Sequence, residues 1–294
     1  MFKYLGVLHD LHFWLCLLIQ YKINNEKGII MRSNLIKVII GGVFTFSAMN
    51  ALAADKNGCG SLPNQSQLKA ALTQAVADET TGLNLDMWAT VVDRDGVVCA
   101  VAFSGANRGA QWPGSRVISA QKANTANSFS LNGLALSTAN LYSAAQGTSG
   151  ATPLGGSLYG LQFSNPVDPE VAYGGNPAAA GTTGDGMVGK RIGGVNVFGG
   201  GFALYNSGKK VVGGVGVSGD TSCADHNIGW RVRNYLNLDY VTGGVSGDAT
   251  RPDNIIYDAT NGNHNGVTDG FEQPDCINLS GSSSATSATL PVTK

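Results

Sequence analysis

The stretch "VVGGVGVSGDTSCADHNIGW", residues 211–230, admits three chemistries, and the choice among them decides the fold. Gly214-x-Gly216-x-x-Gly219 follows an apolar run and precedes a helical one, as in a dinucleotide-binding turn. Gly216-Val217-Ser218-Gly219 nearly spells the elbow that carries a hydrolase serine, and Cys223, Asp225 and His226 are all metal-ligand types. The residues just upstream settle the matter. "GFALYN" and "KKVVGGVGVSG" flank Ser207-Gly208 and read as a hairpin, whose strands are antiparallel. A dinucleotide site needs a parallel βαβ unit. The elbow needs glycine two residues after the serine, where Asp220 stands. The glycines are therefore read as architectural: Gly213, Gly214 and Gly216 let a strand approach a helix or a neighbouring subunit closely. Asp220 and Ser222 are expected to cap the helix that follows, whose N-terminus favours anions.

The rest of the chain repeats this grammar. Apolar residues at 68, 71, 72, 75 and 76 predict a helix over 64–82. "MWATVVDRDGVVCAVAF" predicts a second hairpin turning at Asp95-Gly96. Residues 115–147 read as two helices broken at Asn132-Gly133, and 222–236 as the last helix. Between them lies a Gly/Pro/Asn-rich irregular insertion, residues 147–190. The order helix, hairpin, helices, hairpin, helix predicts one antiparallel sheet with helices packed on it.

At the N-terminus, Met31 opens a signal-peptide pattern: Arg32 and Lys37, an apolar run from Val38 to Phe46, and Ala51-Leu52-Ala53 as the cleavage site. Met31 is read as the true start. Residues 1–53 form the leader, 54–240 the domain and 241–294 a Gly/Asn-rich tail with a disordered Ser/Thr-rich end. The mature chain has a net charge of −4, no basic cluster and no membrane span, which argues against nucleic acid as a partner. Only 13% of all residues are charged, which suggests covered surface in a homo-oligomer. Its four cysteines, Cys59, Cys99, Cys223 and Cys276, read as two disulfides of an exported protein. Three pairings exist. The predicted helix at 64–82 starts near the hairpin tip, which brings Cys59 to Cys99 and leaves Cys223 for Cys276.

Four segments carry a resemblance: "ATVVDRDGVVCAVAF" (89–103), "SRVISAQKANTANSF" (115–129), "IGGVNVFGGGFALYN" (192–206) and "KKVVGGVGVSGDTSCADH" (209–226). They resemble the haem-binding GlcG/HbpS-like family, which includes the C-terminal domain of some cobalamin adenosyltransferases. The resemblance implies a profilin-like α+β fold, a five-stranded antiparallel sheet in three α/β/α layers. It also implies oligomers and binding of haem or a related tetrapyrrole. Some members are described as haem-degrading and others as extracellular redox sensors, but the Glu-x-x-Glu iron motif of the sensors is absent here.

Lys122 and Thr125 match the family's Lys-Ala-x-Thr-Ala motif. With Phe129 and His226 they are the candidate haem contacts, His226 as an iron ligand. Ser130, Ser137 or Thr138 stand where the family's proposed axial threonine falls, and Arg116 adds a charge for propionates. In the tail, Asn261, Asn263, Asn265, Gly266, Asp269 and Glu272 match positions 1, 3, 5, 6, 9 and 12 of a calcium loop. No paired catalytic carboxylates, Ser-His set or metal cluster supports catalysis. The expected function is that of a periplasmic or secreted haem-binding protein serving uptake, storage or sensing. The alternatives are an enzyme that degrades haem or acts on a small carboxylate, and a scaffold that binds nothing. N-terminal sequencing of the exported protein should read Ala54 first, and any earlier residue would contradict the leader assignment.

Overall fold

The computed structural model describes residues 58–146, 156–257 and 270–294. The leader and its cleavage site lie outside these residues, as do the start of the insertion and Asn261, Asn263, Asn265, Gly266 and Asp269 of the calcium loop. Glu272 is described, and its carboxylate accepts from the Gly270 amide at 2.8 Å.

Helix α1 (Gln65–Ala77) begins at a capping box in which Asn64 and Gln67 satisfy each other's amides. Its stripe Leu68, Ala71, Leu72 and Ala75 is buried. Strands β1 (Trp88–Asp93) and β2 (Val98–Phe103) form the first hairpin, in register from Trp88 opposite Phe103. Helix α2 (Ser115–Phe129) follows, then a 3-10 turn and the short α3 (Tyr142–Ala145). The insertion carries two further short helices, α4 (Leu161–Ser164) and α5 (Pro169–Tyr173). Strands β3 (Gly201–Tyr205) and β4 (Val211–Ser218) form the second hairpin, and α6 (Ser222–Tyr235) leaves the sheet. In the second hairpin's turn it is Lys209, at φ +57°, that adopts the left-handed conformation, not Gly208.

The sheet order is β2-β1-β4-β3, all antiparallel. It has four strands where five were expected. Both edges end instead in single bridges. Beside β3, the Tyr205 amide donates to Leu238 and Tyr205 bridges Asp239. Beside β2, Val97 bridges Arg191, and Gly189, Gly193 and Gly194 at positive φ keep that segment from extending into a strand. The edges are covered without a fifth strand.

The three layers are as expected. Trp88, Val92, Val98, Val101 and Phe103 pack toward Ala120 and Ala123 of α2. Ala89, Val91, Phe202, Leu204, Val215 and Val217 pack toward α1 and α6. The end of the chain, expected to be disordered, is instead packed on the domain. It forms α7 (Ser283–Ser287), buries Leu290, and accepts the Trp230 indole at the Pro291 carbonyl, 2.9 Å. Lys294 closes on Asp239 at 2.7 Å. Both disulfides are present, Cys59–Cys99 with Cα atoms 5.3 Å apart and Cys223–Cys276 at 6.0 Å. No helix among the described residues is long and apolar enough to cross a membrane.

The glycines of β4 set the distance to α2. A Cβ on Gly216 would collide with the Ser119 carbonyl and the Ala123 amide and sit 2.9 Å from the Lys122 Cβ. One on Gly214 would collide with the Ala123 carbonyl. Backbone atoms cannot swing aside, so Gly216→Ala should cost about 2–3 kcal/mol in denaturant unfolding. Gly133→Ala, which meets nothing within 4 Å, is the control and should change stability by about 0.5 kcal/mol or less.

Candidate functional site

The motif residues converge, but on one another. Lys122 points from α2 through the gap left by Gly216 and Gly200. Its Nζ lies 2.6 Å from Asp225 and 3.1 Å from the Val217 carbonyl, with the Phe198 ring at 4.7 Å. The second oxygen of Asp225 accepts the amides of Gly219 (3.1 Å) and Asp220 (2.8 Å). Neither side chain is more than 1% exposed. Burial pushes Asp225 up to about 6 despite the opposing Lys122 charge, and pushes Lys122 down. The anion at the start of α6 is thus the protein's own. The cap is Thr221, which accepts from Ala224 at 3.3 Å. Asp220 instead serves the amides of Leu83 and Leu85, and Ser222 meets Gln273 and Cys276. Asp220 and Ser222, expected to cap α6, do not do so.

The other motif residues are likewise occupied. Thr125 donates to Gln121 and accepts from Asn196, tying α2 to the chain before β3. Phe129 packs with Leu141, Val195 and Val197. Ser130 and Ser137 are buried, and Thr138 bridges the Phe198 carbonyl and the Gly201 amide. His226 is fully enclosed between Phe202 and Trp230. Its Nε2 accepts from the Ile255 amide at 3.0 Å and its Nδ1 has no partner among the described residues. Lys122, Thr125 and His226 offer no surface to a ligand in this chain.

A cleft lies at the other end of α2. It has a volume of about 460 Å³, within the roughly 300–1,000 Å³ of small-molecule sites. Trp88, stacked on Phe103 with centroids 4.4 Å apart, lines it, together with Pro113, Gly114, Tyr173, Pro177 and Ala180. Arg116 and Arg108 line it too. Arg116 donates to the Ala172 carbonyl at 2.9 Å and pairs with Asp185, which also accepts the amides of Gly181 and Met187. This holds the insertion against α2. Arg108 is exposed and makes no hydrogen bond or ion pair among the described residues. Trp88 is 1% exposed, yet its indole Nε1 has no partner among those residues. The start of α2 at Gly114 has no side-chain cap.

The cleft thus offers an apolar, aromatic wall and one cation left uncompensated among the described residues. Of its residues, only Arg116 is a candidate legible in the sequence. Trp88 looked like an ordinary strand residue, and Arg108 and Tyr173 belong to no motif. "YGGNP" at 173–177 was the available signal, a tyrosine beside glycines in an irregular stretch.

A family model described as "Haem degrading protein HbpS-like" matches residues 65–231. Solved structures similar to the chain include the following two. One is the Klebsiella pneumoniae protein ORFY of the DUF336 family model, 24% identical, covering 58% of this chain and 86% of its own, with a TM-score of 0.38. The other is a PduOC:heme complex, 22% identical, covering 59% and 91%, with a TM-score of 0.38. No curated protein matches the chain.

The enclosure of His226 has a measurable consequence. Burial holds its imidazole down at about 3, against 6.5 ordinarily. Between those values the unfolded chain binds a proton that the folded chain does not. The contribution of neutral His226 to stability is therefore full above pH 6.5 and is lost as pH falls toward 3. Asp225, raised from 3.8 to about 6, works in the opposite sense between those two values. Comparing wild type with His226→Gln cancels Asp225 and the other carboxylates. The stability gap between them should shrink by about 2 kcal/mol from pH 7 to pH 5 in urea unfolding. An unchanged gap would mean that the imidazole titrates as it does in water.

Proposed function

The chain belongs to the HbpS-like family, and from that premise we propose that it is an exported haem-binding protein whose haem sits in the cleft between the start of α2 and the insertion. The observation that carries this reading is the aromatic, largely apolar cleft lined by Trp88, with the exposed Arg108 unpaired among the described residues on its lining. Arg108 would hold a carboxylate at the rim. Pro113, Pro177 and Ala180 would cover the faces of the macrocycle and exclude water. Arg116 would act indirectly, holding the insertion wall through Ala172 and Asp185. Bound there, haem would supply its own iron chemistry, while the protein sets its burial and charge.

Export is supported by the signal-peptide pattern and by two disulfides, which persist in oxidising compartments. A periplasmic or secreted location and a role in haem uptake, storage or sensing follow as part of the proposal. Association into a homo-oligomer is supported by exposed aromatic residues on the insertion, Tyr159 at 64% and Phe163 at 83%.

Haemin titration of the full chain should give a saturable Soret band. Arg108→Ala should weaken binding by about tenfold, the scale of one exposed charge-assisted contact. Lys122→Met should leave the affinity of the folded fraction unchanged, because Lys122 faces Asp225. A wild-type protein with no saturable band at low micromolar haemin would return the fold to the scaffold reading.

A further inference from the structure

We infer that Tyr173 gives haem iron its axial ligand from this chain, an assignment that rests on the haem-binding reading above. Protein ligands to haem iron are drawn from histidine, methionine, cysteine and tyrosine. Among the described residues, His226 is enclosed, Met87 and Met187 are 0% exposed, and the four cysteines are spent in disulfides. The lining of the cleft contains no histidine, methionine or cysteine, and one tyrosine, Tyr173. Its side chain is 68% exposed, and its hydroxyl makes no hydrogen bond among the described residues.

The backbone beneath it is held firmly. Asp168 caps α5 through the amides of Glu170 and Val171, at 3.0 and 3.2 Å. Arg116 grips the carbonyl of Ala172, the residue before Tyr173. On the other side, Gly174 and Gly175 pack so closely on Gly186 that a Cβ on Gly186 would collide with the Gly174 carbonyl. The phenol is therefore a free side chain on a fixed platform, facing a cleft with an uncompensated arginine.

The step involves no redox change. The Tyr173 oxygen bonds to ferric iron, its O–H proton leaves to solvent, and a water on the iron is displaced. The wall alternative, in which Tyr173 only stacks on the macrocycle, predicts no such bond.

The full chain and two variants, Tyr173→Phe and Tyr159→Phe, are loaded with ferric haemin and measured by absorption and resonance Raman spectroscopy. The phenylalanine keeps the ring, so stacking and folding are preserved. Wild type and Tyr159→Phe should show iron-tyrosinate modes and a phenolate-to-iron charge-transfer band, and Tyr173→Phe should lose both and shift the Soret band while still binding haemin. If wild type binds haemin but lacks those modes, or Tyr173→Phe retains them, the ligand assignment is overturned and haem binding stands. If wild type does not bind haemin, the haem reading itself falls and takes the assignment with it.

Discussion

The buried ion pair between Lys122 and Asp225 is the contact on which the other placements depend. It crosses β4, joining α2 on one face of the sheet to the first turn of α6 on the other. Two charges removed from water cost several kcal/mol each, and their attraction recovers that only if every remaining polar atom is served. Here they are served: the Val217 carbonyl takes the ammonium, and the Gly219 and Asp220 amides take the carboxylate. A pair of this kind contributes little net stability over an apolar replacement, but losing one partner costs about 3–5 kcal/mol. Its effect is on geometry. Lys122 reaches Asp225 only where β4 has no side chain in the way, so Gly216 and the pair require each other.

That geometry reaches the cleft through α2. Arg116 lies on the same helix, six residues before Lys122. With the helix docked against Gly214 and Gly216, the guanidinium of Arg116 meets Asp185 and Ala172 of the insertion. The floor of the cleft, Trp88, comes from the strand beside β4. The insertion therefore folds onto a platform that the ion pair has positioned. On the far side, α6 is enclosed by the tail rather than by solvent. Arg233 pairs with Asp253 at 2.6 Å with neither exposed, and Asn227, Trp230 and His226 all meet residues beyond 250. A helix sealed on both sides leaves no route to His226, which is why the most ligand-like side chain of the sequence is a core residue.

Local chemistry made much of this legible. The two hairpins announced themselves by Asp95-Gly96 and Ser207-Gly208, and α1 by its apolar spacing. Both disulfide pairings followed from one helix and one hairpin tip. The closeness of β4 to α2 was readable because three glycines in one strand have few other uses. What was not legible depended on contacts distant in sequence. The fifth strand is missing because β2 meets a glycine-broken segment and β3 meets the turn after α6, and no local pattern reports either encounter. The Ser/Thr-rich end looked disordered by composition, yet it covers the Trp230 indole and buries its own Leu290. Lys122 and His226 were singled out as ligand contacts because motifs record residue types, whereas the ion pair and the sealing tail are tertiary facts.

The same distinction explains where a ligand site can arise on this fold. The segments that carry the family resemblance are consumed in building the platform: their glycines admit α2, their lysine neutralises Asp225 and their threonine ties down Asn196. Unspent polar groups remain where the platform meets the insertion, at Trp88 Nε1, Arg108 and the Tyr173 hydroxyl. A buried donor without an acceptor weakens a folded protein by about 1–3 kcal/mol unless something fills its place. The unpaired indole is thus a cost carried in the floor shared by the sheet and the inserted wall. The platform can then remain constant while changes in residues 173–180 reshape the wall of the cleft.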